Sequence, residues 1–425
     1  MIVDNDQILC DLKSQYKDSE SIVIPIYSDV NKHRVYSRVS LLYIYIINTK
    51  KEFIIPINHS DKVFNVSDLN FINNDKLTYT YSSGIKNSIN IDALYYFSSS
   101  TSIDLQSLQT SAHHYFYNRS WRLNNLNDII PLLKHKEYCS NIKDKILPLL
   151  DLHKEPGFKE YNTLLLPQLK QIETAGLYTT DQVFEHSKYN PWSITGRPSN
   201  AFGGINYAAL NKEDNTREKY ISRFNDGKLV EFDYDAYHLR LIANIIDYKL
   251  PDTSIHAYLG KYYFDKEMLT KDEYNESKSI TFKILYGGIP PEFENIPFFK
   301  RIKEYIFKVW DIYKSNGYIE TPIFKRKIYK VNLQSRDIKP QTLFNYIIQA
   351  VETEQNIIVI KDIHEYLNSK QSKLILYTYD ALLFDIHPSE GDILKDIANL
   401  MKFPVKCKTG RNYKNMESYD FNIIS

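Results

Sequence analysis

The sequence predicts an α+β protein with two or three lobes, and three observations lead to this prediction. The chain has 425 residues, which is more than a single hydrophobic core usually accommodates. Short apolar runs rich in β-branched and aromatic residues dominate residues 20 to about 105. Helical spacing of apolar residues dominates the longer remainder, which also contains two strand-like runs. The N-terminal part is therefore predicted as an α/β lobe and the rest as a larger mixed lobe.

The predicted strands of the first lobe are three apolar runs, Ser21–Ile26, Val39–Ile47 and Glu52–Ile57. Residues 127–175 have helical spacing instead, and Gly176 is a typical end for the last of these helices. We therefore divide the chain into a first domain (1–125), a helical connector (126–160) and a large domain (161–425).

Composition excludes several classes of protein. Apolar residues make up 43% of the chain and charged residues 25%, as in ordinary soluble globular proteins. No apolar run is long enough to cross a bilayer and the first residues lack the pattern of a signal peptide, so we expect no membrane partner and a cytoplasmic location. Cys10, Cys139 and Cys407 have no paired spacing, which indicates a reducing compartment without a disulfide framework or a zinc site.

The net charge of +1 gives no overall sign of a nucleic-acid partner, but the charge is unevenly distributed. Between Lys300 and Lys339 there are eleven Lys and Arg residues against four Asp and Glu residues. The densest cluster is Lys325, Arg326 and Lys327. This excess is typical of a surface that binds nucleic-acid phosphates, although for this segment taken alone a solvated helix and loop face is the better explanation.

Two aspartates lie at the ends of strand-like runs. Asp233 ends the run that begins at Leu229 and precedes the helix-like stretch His238–Ile246. Asp380 lies at the turn of a predicted hairpin, Leu374–Ile386. Two carboxylates on separate buried strands commonly hold a pair of divalent ions for phosphoryl transfer. Helix capping by Asp233 and a plain turn role for Asp380 are the structural alternatives.

Lys278, Phe282 and Tyr286 are spaced four residues apart and end at the pair Gly287 and Gly288. This spacing aligns a cation and two aromatic rings on one helical face, which suits a nucleotide. The ammonium group can neutralise phosphate while the rings contact the base and sugar. The alternative is an amphipathic helix whose rings lie in the core.

These motifs together resemble those of family A DNA polymerases, the DNA polymerase I type. In chain order the motifs are Thr195–Arg197, Asp233–Tyr234, Lys278-x3-Phe282-x3-Tyr286-Gly287, Asn345-x3-Gln349 and Tyr379–Asp380. The resemblance covers about residues 160–425, including the ending Phe403–Tyr413, and five motifs in order are much more specific than any one of them.

The resemblance implies a right-hand polymerase that adds dNTPs to a primer 3′-end by two-metal phosphoryl transfer. Residues 161–250 and 340–425 would form the palm, and residues from about 251 to 339 the fingers. Asp233, Asp380 and Lys278 would be catalytic: the aspartates hold two Mg²⁺ ions, which Mn²⁺ can replace, and Lys278 assists the leaving pyrophosphate.

Further roles are carried over to single residues. The backbone carbonyl of Tyr234 would join the metal ligands. The residues implied for the dNTP are His238, His256, Lys278, Phe282 and Tyr286. The residues implied for primer–template DNA are Arg197, Asn345 and Gln349, and the basic segment adds Lys325, Arg326 and Lys327.

The chain departs from the family at several of these positions. His238 stands where a glutamate usually excludes the ribose 2′-hydroxyl, so weaker discrimination between deoxyribo- and ribonucleotides is expected. Tyr274 replaces an arginine one turn before Lys278, although Lys271 can reach the same face. Gln341 replaces a minor-groove arginine. In the hairpin, Ala381 and Tyr379 replace a carboxylate and a histidine, which leaves two carboxylates rather than three.

Two larger parts of the family pattern are reduced. Leu177–Ser193 offers only a short loop where a helical thumb is expected, so we expect a weak grip on DNA, or a thumb supplied by residues 127–160 or by a processivity or replisome protein. The first domain weakly resembles the RNase H-like 3′-5′ exonuclease domain, notably over Leu42–His59. The expected acids are missing at Val23–Asp29, Thr78–Tyr81 and Tyr115–Asn118, so no proofreading is expected.

Two alternatives remain for the activity. One is a single-subunit RNA polymerase, which shares the aspartates and the Lys278-to-Gly287 helix. The other is a noncatalytic nucleic-acid-binding protein that assists replication. The reduced thumb and exonuclease regions suggest a compact polymerase of viral or phage type, which would act in replication or repair in the host cytoplasm.

Overall fold

The computed structural model describes residues 1–29, 32–73, 75–80, 85–99, 126–251, 254–333 and 338–420. The chain divides into two compact units, residues 1–163 and 164–425. The segment predicted as a connector, residues 126–160, therefore belongs to the first unit. Each unit has its own main sheet.

The first unit contains a mixed five-stranded sheet. Its strands are β1 (Ser21–Tyr27), β2 (Val39–Ile46), β3 (Lys51–Pro56), β4 (Thr78–Thr80) and β5 (Ser88–Asn90). Their spatial order is β3-β2-β1-β4-β5, with β1 antiparallel to β2 and parallel to β4. β1 and β2 are buried along nearly their whole length, which explains why they are continuous apolar runs in the sequence.

Helices of the first unit complete its core. They are α1 (Asp6–Lys17), α2 (Ile91–Ser99), α3 (Leu132–Ile146) and α4 (Phe158–Glu160). Asn5 caps α1, because its Oδ1 accepts a hydrogen bond from the main-chain N–H of Ile8 at 3.0 Å. Leu12 and Tyr16 of α1 are fully buried and pack in one cluster with Val23 of β1.

The first unit lacks an acidic cluster in the part of the chain that the structure describes. No group of three or more His, Cys, Asp or Glu residues there could hold a metal ion. The carboxylate of Asp128 accepts hydrogen bonds from Ser28 Oγ and Arg38 Nη2, each at 2.7 Å. Tyr81 and Tyr115–Asn118, where further acids were expected, lie outside the described residues.

The second unit begins with α5 (Leu166–Ala175) and six short strands. These are β6 (Leu177–Thr179), β7 (Phe184–Glu185), β8 (Tyr189–Asn190), β9 (Ser199–Phe202), β10 (Ile205–Asn206) and β11 (Tyr220–Ile221). Leu177–Ser193, predicted as a loop, thus contains three strands and no helix. Gly176 joins α5 to β6 at φ +65°, and a Cβ there would lie 2.8 Å from the ring of His186, so this turn requires glycine.

The main sheet of the second unit is antiparallel. Its strands are β12 (Lys228–Tyr234), β15 (Lys373–Thr378), β16 (Ala381–Ile386), β17 (Val405–Gly410) and β18 (Glu417–Tyr419). Their order is β15-β16-β12-β17-β18, which places β12 at the centre. β12 pairs with both β16 and β17, so Asp233 faces Ala381 on one side and Lys406 on the other.

Helices and a small hairpin complete the second unit. The helices are α6 (Tyr237–Ile245), α7 (Ile255–Phe264), α8 (Lys271–Gly287), α9 (Pro297–Asn316), α10 (Pro340–Leu367) and α11 (Ile393–Leu400), and the hairpin is β13 (Tyr318–Glu320) with β14 (Lys327–Tyr329). One apolar cluster joins α6 to α10 through residues such as Leu285, Phe299 and Phe344. Within the described ranges, no helix combines the length and apolar character needed to span a membrane.

Candidate active site

Asp233 and Asp380 are brought together by neighbouring strands. Asp233 lies near the end of β12 and is paired in register with Ala381, the residue after Asp380. The main-chain N–H of Tyr234 donates to the main-chain oxygen of Asp380 at 3.0 Å. Tyr379 adopts a left-handed φ of +63°, which makes the turn between β15 and β16 tight. Strand register therefore places both carboxyl groups at one end of the sheet.

Both carboxyl groups are harder to ionise than ordinary aspartates. Burial, the charge of Asp380 and the charge of Glu231 raise the pKa of Asp233 to about 6, against opposing effects of Lys212 and Lys406. Burial raises the pKa of Asp380 as well, with the charge of Glu352 adding to it. Carboxylate groups supply the hard oxygen ligands that Mg²⁺ prefers, and a divalent cation would favour the ionised form of both.

A cleft of about 270 Å³ opens beside the two aspartates. It collects the predicted residues Arg197, Asp233, Tyr234, His238, His256, Lys278, Phe282, Tyr286 and Asp380. It is also lined by residues to which the sequence analysis gave no role, namely Asp235, Ala236, Tyr237, Leu239, Glu352 and Lys406. All eight residues predicted for the metal ions and the dNTP therefore line one cavity.

The face of α8 that borders the cleft carries Lys278, Phe282 and Tyr286. The rings of Phe282 and Tyr286 are nearly parallel, with an interplanar angle of 3° and centroids 6.2 Å apart. Both rings are about 40% exposed, whereas Thr281 and Ile284 of the same helix are buried. The rings of Phe282 and Tyr286 therefore do not lie in the core, which was the alternative explanation of their spacing.

His256 of α7 lies at the base of this face. Its ring centroid is 5.8 Å from that of Phe282. Burial and the nearby ammonium group of Lys278 lower the pKa of His256 to about 4. The imidazole is therefore neutral at physiological pH, and one of its nitrogens can donate to an anion without adding a charge.

Glu352 of α10 organises the side of the cleft near Tyr286. Its side chain is 1% exposed and lies 2.8 Å from Nε of Arg197 and 3.0 Å from Nε2 of His238. Nδ1 of His238 contacts the hydroxyl group of Tyr286, so the imidazole is held at both nitrogens. The guanidinium group of Arg197 also lies over the ring of Tyr379, 3.8 Å from its centroid.

Comparison with known proteins gives results of unequal strength. No protein-family model matches the chain. A DNA polymerase I of Caldicellulosiruptor bescii is 26% identical over 225 residues, which are 44% of this chain and 26% of that protein. The match thus spans about a quarter of that relative's length.

The second comparison decides the fold. The POL domain of Pol1 from M. smegmatis, solved in complex with DNA primer-template and dNTP, matches with a TM-score of 0.71 at 12% identity. The match covers 97% of this chain and 99% of that one. This chain has a DNA polymerase fold. The predicted α+β polymerase architecture is thereby confirmed.

In this polymerase fold the amide residues of α10 contact the end of α8. The side-chain amide of Gln341 donates to the main-chain oxygen of Leu285 at 2.6 Å, and that of Asn345 donates to the main-chain oxygen of Tyr286 at 3.1 Å. The carbonyl groups at a helix end lack partners within the helix, and these amides satisfy two of them. Gln349 is half-buried on the same helix and does not line the cleft.

The three residues of the basic cluster, Lys325, Arg326 and Lys327, differ in their surroundings. Arg326 is 2% exposed and donates from Nη2 to the main-chain oxygen of Ile194 at 2.9 Å, so its guanidinium group is committed to the interior rather than to DNA. Lys325 is exposed, and the ammonium group of Lys327 lies 5.1 Å from the ring centroid of Tyr318. Neither lysine lines the cleft.

Proposed function

We propose that this chain is a template-directed DNA polymerase that adds dNTPs to a primer 3′-end by two-metal phosphoryl transfer. One observation carries the proposal: a single cleft in a polymerase fold holds Asp233, Asp380 and the nucleotide-facing side of α8. Each of these features has an ordinary structural explanation when taken alone. Their meeting in one cavity is what favours catalysis over a noncatalytic nucleic-acid-binding role.

Asp233 and Asp380 are the residues proposed to hold two Mg²⁺ ions, with the backbone carbonyl of Tyr234 as a further ligand. When bound, these ions would activate the primer hydroxyl group and neutralise the developing phosphate charge, and Mn²⁺ could replace them. Lys278 contributes a fixed positive charge for the phosphates and the leaving pyrophosphate. The neutral imidazole of His256 donates a hydrogen bond beside it.

The aromatic face of α8 positions the base of the nucleotide. The parallel rings of Phe282 and Tyr286 offer flat apolar surfaces to the incoming sugar and base and to the template position. Arg197, Asn345 and Gln349 are proposed to hold the primer–template end, and Lys325 and Lys327 to contact its phosphates. Arg326 is left out of this set because it is buried.

Primer extension tests the proposal directly. A 5′-labelled primer annealed to a longer template, incubated with the chain, dNTPs and Mg²⁺, is expected to lengthen in the order that the template dictates. Omission of Mg²⁺ is expected to stop extension. Binding of the duplex without any extension in Mg²⁺ or Mn²⁺ would favour the noncatalytic role.

His238 is proposed to set the selectivity between deoxyribonucleotides and ribonucleotides. His238 is held between Glu352 and Tyr286, so a ring rather than a flexible carboxylate borders this side of the cleft. We expect weaker discrimination against rNTPs than a glutamate would give, and a further loss of about tenfold in His238→Ala. The ratio of single-nucleotide incorporation rates with dNTP and rNTP measures both.

The control for this ratio is His387→Ala, which removes a histidine beyond the far end of β16. A strong dNTP preference in the unaltered chain would contradict the expectation. A preference for rNTPs would instead support the alternative of a polymerase that makes RNA.

The first unit is proposed to be a degenerate exonuclease domain that does not proofread. The support is that no metal-binding acidic cluster occurs in its described residues. A labelled primer with a mismatched 3′-end is expected to stay intact without dNTPs in either metal. Trimming that persists in Asp380→Asn but disappears in Asp29→Asn would place an active nuclease in this unit.

A partner that grips DNA is proposed to compensate for the reduced thumb. Leu177–Ser193 folds as short strands without a helix, which supports weak DNA retention by the chain alone. Short products per binding event are therefore expected in the presence of a DNA trap, and long products would contradict this. These reduced parts also support a polymerase of viral or phage type, acting in replication or repair in the host cytoplasm.

The raised pKa of Asp233 predicts how this carboxyl group affects the stability of the chain when no metal is bound. The folded chain favours the protonated carboxyl group, so this group's contribution to stability is full below about pH 4 and is lost as pH rises through about 6. In EDTA at neutral pH, Asp233→Asn is therefore expected to raise the free energy of unfolding by about 1 kcal/mol, discounted for partial exposure.

Thermal unfolding with and without Mg²⁺ measures this effect. The unaltered chain is expected to gain stability from Mg²⁺, and the double variant of Asp233→Asn with Asp380→Asn is expected to gain much less. Asp226→Asn changes an exposed aspartate before the other end of β12 and is the control. If Asp233→Asn were less stable than the unaltered chain in EDTA, this would contradict a raised pKa for Asp233.

A further inference from the structure

Lys406 lines the cleft, although it belongs to the ending Phe403–Tyr413, to which the sequence motifs gave no role in binding. It lies on β17 directly opposite Asp233 of β12, and paired residues on neighbouring strands point to the same face of a sheet. Its side chain is 61% exposed, and it lines the same cavity as Lys278. Strand register therefore places an accessible ammonium group beside the metal-binding end of the sheet.

The cleft needs such a cation if it is to hold a nucleoside triphosphate. Among its described lining residues, the side chains with a permanent positive charge are Arg197, Lys278 and Lys406. Arg197 is paired with the buried carboxylate of Glu352. One turn before Lys278, α8 carries the uncharged Tyr274, whose hydroxyl group accepts a hydrogen bond from Ser254 at 3.2 Å. Lys278 is thus the cation that α8 contributes to the cleft.

The charges of both lysines act on the imidazole of His256. Burial and then the charge of Lys278 lower the pKa of His256, the charge of Asp235 opposes them, and the charge of Lys406 again lowers it. Both ammonium groups are therefore close enough to act on this imidazole, one from α8 and one from β17. Lys278, Lys406 and His256 also line the same cavity, so phosphates bound beside His256 would lie within the field of both lysines.

We propose that Lys406 is a second triphosphate-binding cation, which contacts the phosphates from the sheet while Lys278 contacts them from α8. This inference rests on the proposed polymerase function and adds a substrate-binding residue to it. A lysine suits this role because its compact ammonium group pairs with phosphate oxygens as a point charge on a flexible stem.

The present partner of Lys406 can release it at little cost. Its Nζ lies 2.6 Å from Oδ1 of Asp235 in a solvent-accessible ion pair, a kind of pair that contributes little to stability. Asp235 has a second cation, because Nη2 of Arg240 lies 3.6 Å from its Oδ2. Nε of Arg240 also donates to the main-chain oxygen of Asp235 at 2.9 Å. Lys406 can therefore turn to the triphosphate without leaving Asp235 unpaired.

The test measures nucleotide affinity and rate separately. In single-nucleotide incorporation, Lys406→Gln is expected to raise the KM for dNTP about tenfold with a much smaller change in kcat. Inhibition by added pyrophosphate is expected to weaken by a similar factor. Lys406→Arg is expected to recover most of the affinity. Lys408→Gln removes the same charge from the same strand at a residue that does not line the cleft, and it is the matched control.

An indirect effect through Asp235 is separated by a double variant. If Lys406 acted only by neutralising Asp235, adding Asp235→Asn to Lys406→Gln would restore the KM. The proposal expects the double variant to remain weak. Restoration, or an unchanged KM in Lys406→Gln, would overturn the role of Lys406 while leaving the polymerase function intact. Absence of extension by the unaltered chain would instead overturn the polymerase function.

Discussion

Replacing Asp380 with asparagine is expected to reduce primer extension at least about a thousandfold. Asparagine keeps the size of the side chain and its place in the β15–β16 turn but removes one of two carboxylates. In the part of the chain that the structure describes, no third acid completes a metal-binding group that could compensate. Single-turnover incorporation of one nucleotide at saturating Mg²⁺ measures the chemical step.

Two controls test whether a nonspecific effect of the substitution or a loss of DNA binding causes the reduction. Asp226→Asn, with the same chemical change at an exposed position of φ +60° that asparagine tolerates, is expected to match the unaltered chain. DNA binding by Asp380→Asn, followed by fluorescence anisotropy, is expected to remain within about threefold, because a lost carboxylate lessens repulsion of phosphate. Equal extension by Asp380→Asn and the unaltered chain would remove the catalytic assignment.

Replacing Glu352 with alanine is expected to lower the free energy of unfolding by about 3 kcal/mol. The carboxylate is 1% exposed and lies against Arg197 and His238. Its removal leaves a guanidinium group without its main charged partner and frees one nitrogen of the imidazole. Primer extension is expected to fall as well, because His238 then loses one of the two contacts that hold its ring beside Tyr286.

Urea denaturation measures the loss of stability. Glu365→Ala, at an exposed glutamate on the same helix that pairs with Lys361, is the control and is expected to change stability by less than about 0.5 kcal/mol. The double variant of Glu352→Ala with Arg197→Ala is expected to lose less than the sum of its single variants, because both remove the same interaction. Strict additivity would mean that the pair does not stabilise the fold.

Several cleft-lining residues that sequence could predict lie at fixed spacing on one element. Lys278, Phe282 and Tyr286 face the same way because a helix repeats every 3.6 residues, whatever surrounds it. Asp233 and Asp380 are predictable for a related reason, since each ends an apolar run that the core must bury. The fold class follows from these same runs and from the helical spacing between them.

The residues that sequence missed depend on contacts between distant segments. Glu352 looks like one polar residue among several on α10, and only its contacts with a loop at Arg197 and with α6 distinguish it. The residues that follow it, Thr353, Glu354 and Gln355, are also polar, so the local sequence gives no signal that separates Glu352 from them. Lys406 depends on the register of β17 against β12, which spacing along the chain does not contain. Arg326 was assigned to the surface by its neighbours' charges, but its fold environment buries it.

Helix α10 contacts three of the segments that form the cleft. Along α10, Asn345 contacts the end of α8, Glu352 holds His238, and the side-chain amide of Asn356 donates to the main-chain oxygen of Tyr379 at 2.5 Å, in the turn that carries Asp380. These three residues belong to one continuous helix, so a small shift or rotation of α10 would move the proposed nucleotide, sugar and metal positions together. Changes in the packing of α10 far from the cleft are therefore expected to alter the proposed synthesis without contacting any substrate.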